Sequence, residues 1–209
     1  MTDLEKIYGY FPELDTVQRD RLAALYDLYA DWNAKINVVS RKDFDQLYAR
    51  HVLHSLAIAK VCRFADGARI LDVGCGGGFP SIPLAILFPG AHFTAADSIR
   101  KKITVVEGVS RSLGLENLTP RCVRVETLTE RFDYVVSRAV TAMPEFVGWV
   151  WSKIERGERG TLPNGILYLK GGDLAEELAR TGKRWTLYEI SDFFDDPFFE
   201  TKKVVYTPR

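Results

Sequence analysis

Residues 70 to 82 read Ile70-Leu71-Asp72-Val73-Gly74-Cys75-Gly76-Gly77-Gly78-Phe79-Pro80-Ser81-Ile82. A short apolar run carrying an acid leads straight into glycines at 74, 76 and 78, and a helix-like segment follows. A buried strand that turns sharply into a helix lets a ligand touch main chain. Glycine tolerates positive φ there and carries no Cβ to hold the ligand away. Pro80 suits the first helical position. The spacing is Asp-x-Gly-x-Gly-x-Gly, whereas the dinucleotide fingerprint needs its third glycine three residues after the second. That place is Phe79. Alone, the turn equally describes a tight strand-helix corner with no ligand.

A second acid favours a nucleoside-cofactor site. Ile82 to Phe88 reads as a short helix stopped by Pro89-Gly90, and Ala91-His92-Phe93-Thr94-Ala95-Ala96-Asp97 as a strand ending in a carboxylate. In a doubly wound sheet the ends of the first two strands are neighbours. Asp97 is then placed to accept hydrogen bonds from both hydroxyls of a ribose, at about the 20-residue separation expected from the turn.

The 209 residues suffice for one domain with a sizeable core and a helical extension. Apolar residues are 46% and charged residues 27%, ordinary values for a globular chain. No apolar run is long enough to cross a bilayer, and Met1 to Lys6 lacks the pattern of a signal peptide. Cys62, Cys75 and Cys122 have no paired-ligand spacing, so neither a disulfide framework nor a zinc site is expected. Reduced thiols in the cytosol and a monomeric chain are expected instead. Formal net charge is zero, which gives no support to a strongly cationic nucleic-acid binder.

The chain divides near residue 66. Residues 1–66 form a helical extension, with Leu22, Leu25, Tyr26, Tyr29 and Trp32 at helical spacing and Asp15 as a cap. A second helix is expected over about 43–62, and the bend between them has no clear assignment. Residues 67–209 alternate strand and helix: strand 69–73, helix 80–87, strand 92–96, helix 99–113, strand 120–125, strand 133–137, helix 144–155, strand 165–170 and helix 173–180. Two strands, Trp185 to Ile190 and Val204 to Tyr206, close the chain with no helix between them. The fold class is therefore α/β: a mostly parallel Rossmann-like sheet with helices on both faces and a C-terminal antiparallel hairpin. That combination is typical of class I S-adenosylmethionine-dependent methyltransferases, whose first motif the glycine turn also resembles.

Further stretches narrow the resemblance: Trp32-Asn33 with Asn37, Arg50-His51-Val52-Leu53-His54-Ser55-Leu56, Asp97-Ser98 with Lys101-Lys102, Arg124-Val125-Glu126, Phe132-Asp133, Ser137-Arg138-Ala139 and Leu169-Lys170-Gly171. Over nearly its whole length the chain resembles the bacterial small-subunit (16S) ribosomal RNA guanine-N7 methyltransferase family, also called the glucose-inhibited division protein B family. The resemblance implies S-adenosylmethionine as cofactor and 16S ribosomal RNA, or the small subunit, as partner. It implies cofactor contacts at Gly74, Phe79, Val125, Glu126 and Arg138, beside Gly76, Gly78 and Asp97 from the turn. Cys75, Phe79 and Ser81 stand where the family usually has Thr, Leu and Gly. His54 stands where it commonly has Asp, which removes a carboxylate from that position.

The chemistry agrees partly by absence. Exocyclic-amine methylation commonly uses Asn/Asp-Pro-Pro-aromatic after the fourth strand, where this chain has Ser137-Arg138-Ala139-Val140. Pyrimidine C5 methylation needs a cysteine nucleophile, and none follows Cys122. Guanine N7 needs neither, because its in-plane lone pair is already nucleophilic. Methylation of a small molecule or a protein lacks these motifs too, and a ribosomal RNA-binding assembly factor is a third reading. A nicotinamide enzyme is disfavoured by the glycine spacing and the hairpin. Arg138 is expected to position cofactor or base. Arg41, Lys42, Arg50, His51, Lys60 and Arg63 form a candidate phosphate-facing surface; a solvated helix face beside Asp43 and Asp45 is the plainer account. His51 and His54 lie three apart, but no neighbouring acid or thiol completes a metal site. The four tryptophans are expected to be packing residues.

Overall fold

The computed structural model describes residues 2–40 and 43–209. Helix α1 (Asp3–Tyr10) opens on a capping box in which Thr2 and Glu5 satisfy each other's main-chain N–H groups. Helix α2 (Thr16–Asn33) starts the same way at Asp15 and Gln18, so the expected cap is in place. The bend after α2 is closed by one side chain. Asn33 Oδ1 accepts from the N–H groups of Val38 and Val39, and its Nδ2 donates to the Val39 carbonyl.

The expected regular helix over 43–62 is three pieces: a 3-10 turn at Phe44–Gln46, a π-helical segment at Leu47–Leu53, and α3 (His54–Val61). A π segment makes a wider turn than an α-helix, and such segments often sit at functional sites. Here it carries Arg50 and His51.

The strands and helices that follow are β1 (Arg69–Val73), α4 (Ser81–Leu87), β2 (His92–Asp97), α5 (Arg100–Ser112), β3 (Leu118–Cys122), β4 (Tyr134–Arg138), α6 (Met143–Val150), β5 (Gly165–Gly171), α7 (Ala175–Ala179), β6 (Thr186–Glu189) and β7 (Lys202–Pro208). Pro80 proves to be the residue before α4 rather than its first helical residue. The third strand starts and ends earlier than expected, which leaves Val125 and Glu126 in a 3-10 turn, Val125–Thr127. The seven strands form one sheet in the order β3-β2-β1-β4-β5-β7-β6. Strands β1 to β5 pair in parallel, while β7 lies antiparallel between β5 and β6. The order reverses beside β1, and its carboxyl end and that of β4 are where such sheets open a ligand crevice.

One apolar cluster runs from Ile7, Leu22 and Tyr29 through Leu56 to Ile70, Phe93 and Val136, so the N-terminal helices pack on a face of the sheet. A second cluster on the opposite face joins Leu71, Val135 and Tyr168 to Phe146 of α6. Trp32 packs tightly against Gly108 of α5, where a Cβ would meet the indole at 2.0 Å. No helix among the described residues is long and apolar enough to cross a membrane.

Candidate functional site

The chain leaves β1 through a turn whose main chain is held from both sides. Gly74 and Cys75 donate N–H bonds to the Ala96 carbonyl, and Gly76 donates to Asp97 Oδ2 at 3.1 Å. Gly74 has φ +66°, and a Cβ there would lie 2.3 Å from Val140 Cγ2, so the loop after β4 approaches to a distance only glycine allows. Gly76 has φ +57°, and a Cβ would meet nothing within 4 Å. Its main chain faces open space. Gly78 differs, being buried with Ile82 and the Tyr29 hydroxyl at its back.

Asp97 ends β2 with only 7% of its surface exposed. Its Oδ1 accepts from the Ile99 N–H at 2.9 Å, and Lys102 Nζ lies 3.7 Å from Oδ2. A carboxylate has about four acceptor positions, so lone pairs remain for the two hydroxyls of a ribose. The motif's first acid has another duty. Asp72 is fully buried, and its Oδ2 accepts from the Ser81 N–H at 3.0 Å, serving the start of α4. Burial pushes its carboxyl up to about 7, against the pull of Ser81 and Arg138.

Beside this turn lies a cleft of about 390 Å³, lined by Gly74, Asp97, Lys102, Val125, Glu126 and Val140. Trp149 also lines it, so this tryptophan is more than the packing residue expected of it. The Gly74 main chain, the Asp97 carboxylate and an apolar wall of Val125, Val140 and Trp149 form a set that fits the nucleoside of S-adenosylmethionine; Gly76 and Gly78 are not among the residues lining this cleft. Lys102, Val140 and Trp149 line this cleft although the sequence pattern does not mark them as site residues. Trp149 lies on α6, far along the chain from the glycine turn.

Phe79, expected to border the cofactor, lies one layer back. It is buried and stacks on Tyr29 with ring centres 4.8 Å apart. Tyr29 in turn donates from its hydroxyl to the Gly77 carbonyl at 2.6 Å. On the outer side of Phe79 sit His51, at 5.2 Å, and the Arg138 guanidinium, at 5.4 Å. Phe79 therefore supports the side chains that reach the site.

Arg138 ends β4. Its Nη1 donates to the Arg50 carbonyl at 3.1 Å, and its Nη2 lies 2.9 Å from His51 Nδ1. Burial brings its guanidinium down to about 10, which leaves it charged at neutral pH. Burial and the Arg138 charge push His51 down to about 4. The next residue, Ala139, takes φ +54°, an uncommon conformation for a residue other than glycine. Its neighbour Val140 is anchored by donating its N–H to the Tyr168 hydroxyl at 2.8 Å.

A second cleft of about 540 Å³ adjoins the first and shares Ala139 and Val140 with it. Arg50, Arg138 and Lys202 give it a cationic wall, with Lys170 paired to Glu177 beside them, and neutral His51 and Phe198 line it as well. Two of the six candidate phosphate-binding residues, Arg50 and His51, thus reach a cleft. Arg50 is also paired with Asp43 at 2.5 Å. Lys60 and Arg63 do not: Lys60 donates to the Tyr10 carbonyl and Arg63 pairs with Glu13, so both serve the N-terminal packing. Arg41 and Lys42 lie outside the described residues. His54 is buried against Phe198 and Phe199, with no hydrogen-bond partner for Nε2 among the described residues. Among the described residues no group of three or more His, Cys, Asp or Glu is placed to hold a metal ion.

Solved structures share this architecture at low sequence identity. A magnesium protoporphyrin IX methyltransferase from Synechocystis matches with TM-score 0.56 at 15% identity, covering 100% of this chain and 98% of that one. An S-adenosylmethionine-dependent methyltransferase from Aquifex aeolicus matches with TM-score 0.57 at 14% identity, covering 73% and 88%. Sequence relatives are much nearer. The ribosomal RNA small subunit methyltransferase G of Flavobacterium psychrophilum is 55% identical over 205 residues, covering 98% of each chain. That of Christiangramia forsetii is 56% identical over 207 residues, covering 98% of this chain and 97% of the relative. Residues 18–202 also match the family described as rRNA small subunit methyltransferase G. With this match over most of its length and relatives more than half identical, the chain belongs to the rRNA small subunit methyltransferase G family.

Proposed function

We propose that this chain uses S-adenosylmethionine to methylate N7 of a guanine in 16S ribosomal RNA. The observation that carries the reading is the meeting of the two clefts at Ala139 and Val140. One cleft has the glycine turn and ribose acid of a nucleoside cofactor, and the other has a cationic wall suited to a nucleotide. Gly74, Gly76 and Asp97 would hold the cofactor's nucleoside, with Val125, Glu126 and Trp149 along its border. Bound there, S-adenosylmethionine would supply an electrophilic sulfonium methyl for the N7 lone pair, with a neutral thioether as leaving group.

No proton has to leave N7, so the protein needs no general base at the reacting atom. Its task is alignment, bringing acceptor and methyl into line at short distance. Arg138 is suited to that task because His51, Phe79 and the Arg50 carbonyl hold it at the end of β4. His51 is neutral and already hydrogen-bonded to Arg138, which fits positioning rather than proton transfer. No cysteine lines either cleft among the described residues, so the site has no thiol to activate a pyrimidine ring.

Incubating the purified protein with S-adenosylmethionine and unmethylated small subunits or 16S RNA tests the reading. Reduction and aniline cleavage at N7-methylguanine should map one nucleotide. Methyl incorporation only at an exocyclic amine, at a ribose hydroxyl or into small molecules would defeat it.

A further inference from the structure

The segment between β6 and β7 is rich in phenylalanine: Phe193, Phe194, Phe198 and Phe199. Three of these have evident packing roles. Phe194 and Phe199 are buried with ring centres 5.4 Å apart, and Phe194 packs against Tyr10 and Phe11 at the end of α1. Phe193 is partly buried against the same cluster. The Asp195 N–H donates to the Tyr10 hydroxyl at 2.8 Å, a further tie to the N-terminal helices.

Phe198 is partly buried against the same cluster as well, but it is the one of the four that lines the cationic cleft. Its main chain is held by Asp196, whose Oδ1 accepts from the Phe198 N–H at 2.9 Å. Its ring meets those of His54 and Phe199 in T-shaped contacts, with centres 5.5 and 5.1 Å apart. The Arg50 guanidinium and the Lys202 ammonium lie over the ring, 5.6 and 5.2 Å from its centre, so a base stacking there takes the place of one of them. An aromatic ring flanked by cations is an arrangement that proteins use for an unstacked nucleotide. The ring or the adjoining guanidinium plane takes the base, and the cations take the phosphates. A guanine drawn out of its helix into this cleft gives up its own stacking, and an aromatic face there replaces it.

We propose that Phe198 is the stacking platform for the target base, with Arg50 and Lys202 engaging the phosphates beside it. This subsite rests on the ribosomal RNA reading and adds the group that receives the extruded base. The platform is built in advance: Phe194, Phe199 and Asp196 position the segment without the RNA.

Steady-state methylation of unmethylated small subunits tests the proposal. Phe198→Leu keeps an apolar side chain against His54 and Phe199 but removes the π face. It should raise KM for the subunit about 10- to 100-fold, the range reported for losing one base–aromatic stack. Affinity for S-adenosylmethionine and the thermal midpoint should stay at their wild-type values, and Phe198→Tyr should restore KM to within a few-fold. Lys202→Glu should reduce the salt slope of RNA binding by about one or more. An unchanged KM in Phe198→Leu would overturn the proposal. So would a fall in cofactor affinity and thermal midpoint together, which would make Phe198 a packing residue. If wild-type protein places no methyl on a guanine N7, the ribosomal RNA reading fails and this subsite with it. A working wild type with an indifferent Phe198→Leu removes the subsite alone.

Discussion

Arg138 Nη2 lies 2.9 Å from His51 Nδ1, joining the end of β4 to the π-helical segment. A guanidinium only donates, so Nδ1 must accept through its lone pair, and the ring is neutral with its proton on Nε2. The same guanidinium donates to the Arg50 carbonyl. One side chain thus links the N-terminal helices to the sheet at the point where the two clefts meet.

Arg138→Ala should lower kcat by about 100-fold, within the range expected when a misplaced reactant loses alignment. RNA binding should remain. Arg138→Lys should rescue little, because one ammonium cannot reproduce a planar fork that reaches two acceptors. Single-turnover methylation alongside a filter-binding assay would separate the two quantities. Turnover near wild type in Arg138→Ala would remove Arg138 from the positioning role.

The His51 contact makes stability sensitive to acid. The folded value is pushed down to about 4 against an ordinary 6.5, so between these the unfolded chain binds more protons. Stability should therefore fall as pH drops from about 6.5 to about 4. His51→Gln removes this group while the other titrating groups remain. The difference between wild type and variant should change by roughly 2 kcal/mol between pH 7 and pH 4.5, read by urea unfolding. A constant difference would show that His51 is not held neutral.

Asp72 carries the opposite sign. Its folded value is raised from 3.8 to about 7, so its contribution is fully present below pH 3.8 and is lost as pH rises through 7. Asp72→Asn should gain stability relative to wild type over that interval, on the order of 3 kcal/mol by pH 8. Parallel unfolding curves at pH 5 and pH 8 would check this, and a gap that does not widen would be inconsistent with it.

Gly76→Val should abolish cofactor binding in a folded protein. The new side chain would project into the open space over the turn, and the positive φ adds a strain of about 1–2 kcal/mol. Circular dichroism and titration calorimetry with S-adenosylmethionine would decide it. Undiminished affinity would take Gly76 out of the site.

Asp97→Ala should weaken S-adenosylmethionine binding by about 1.5–3 kcal/mol, the usual scale for hydrogen bonds to a charged group. It should also lower the melting temperature, because the N–H groups of Gly76 and Ile99 both lose their acceptor. Asp97→Asn, which keeps an acceptor oxygen, should recover more of the stability than of the affinity. Equal recovery of both would assign Asp97 to loop structure alone.

The sequence by itself determined what depends on local pattern. The apolar run of β1, the glycines after it, the acid closing β2 and the absence of a helix before the last strand are properties of short segments. They led directly to a mostly parallel sheet with a ligand turn at its centre. Asp15 was legible as a cap because capping is decided within one helical turn. The tertiary structure decided everything that depends on which distant residues meet. Phe79 reads as a ligand contact by its position in the turn, yet Tyr29, 50 residues earlier, stacks on it and holds it beneath the site. Periodicity suggests one regular helix through Arg50 and His51, but the segment is π-helical where it meets Arg138. Trp149 looks like a core aromatic, and nothing in the local pattern marks Phe198, until α6 and the β6–β7 segment place each along a cleft wall. Local pattern records how a segment alternates between buried and exposed faces. Only the packed fold records which side chains from separate segments share a cleft.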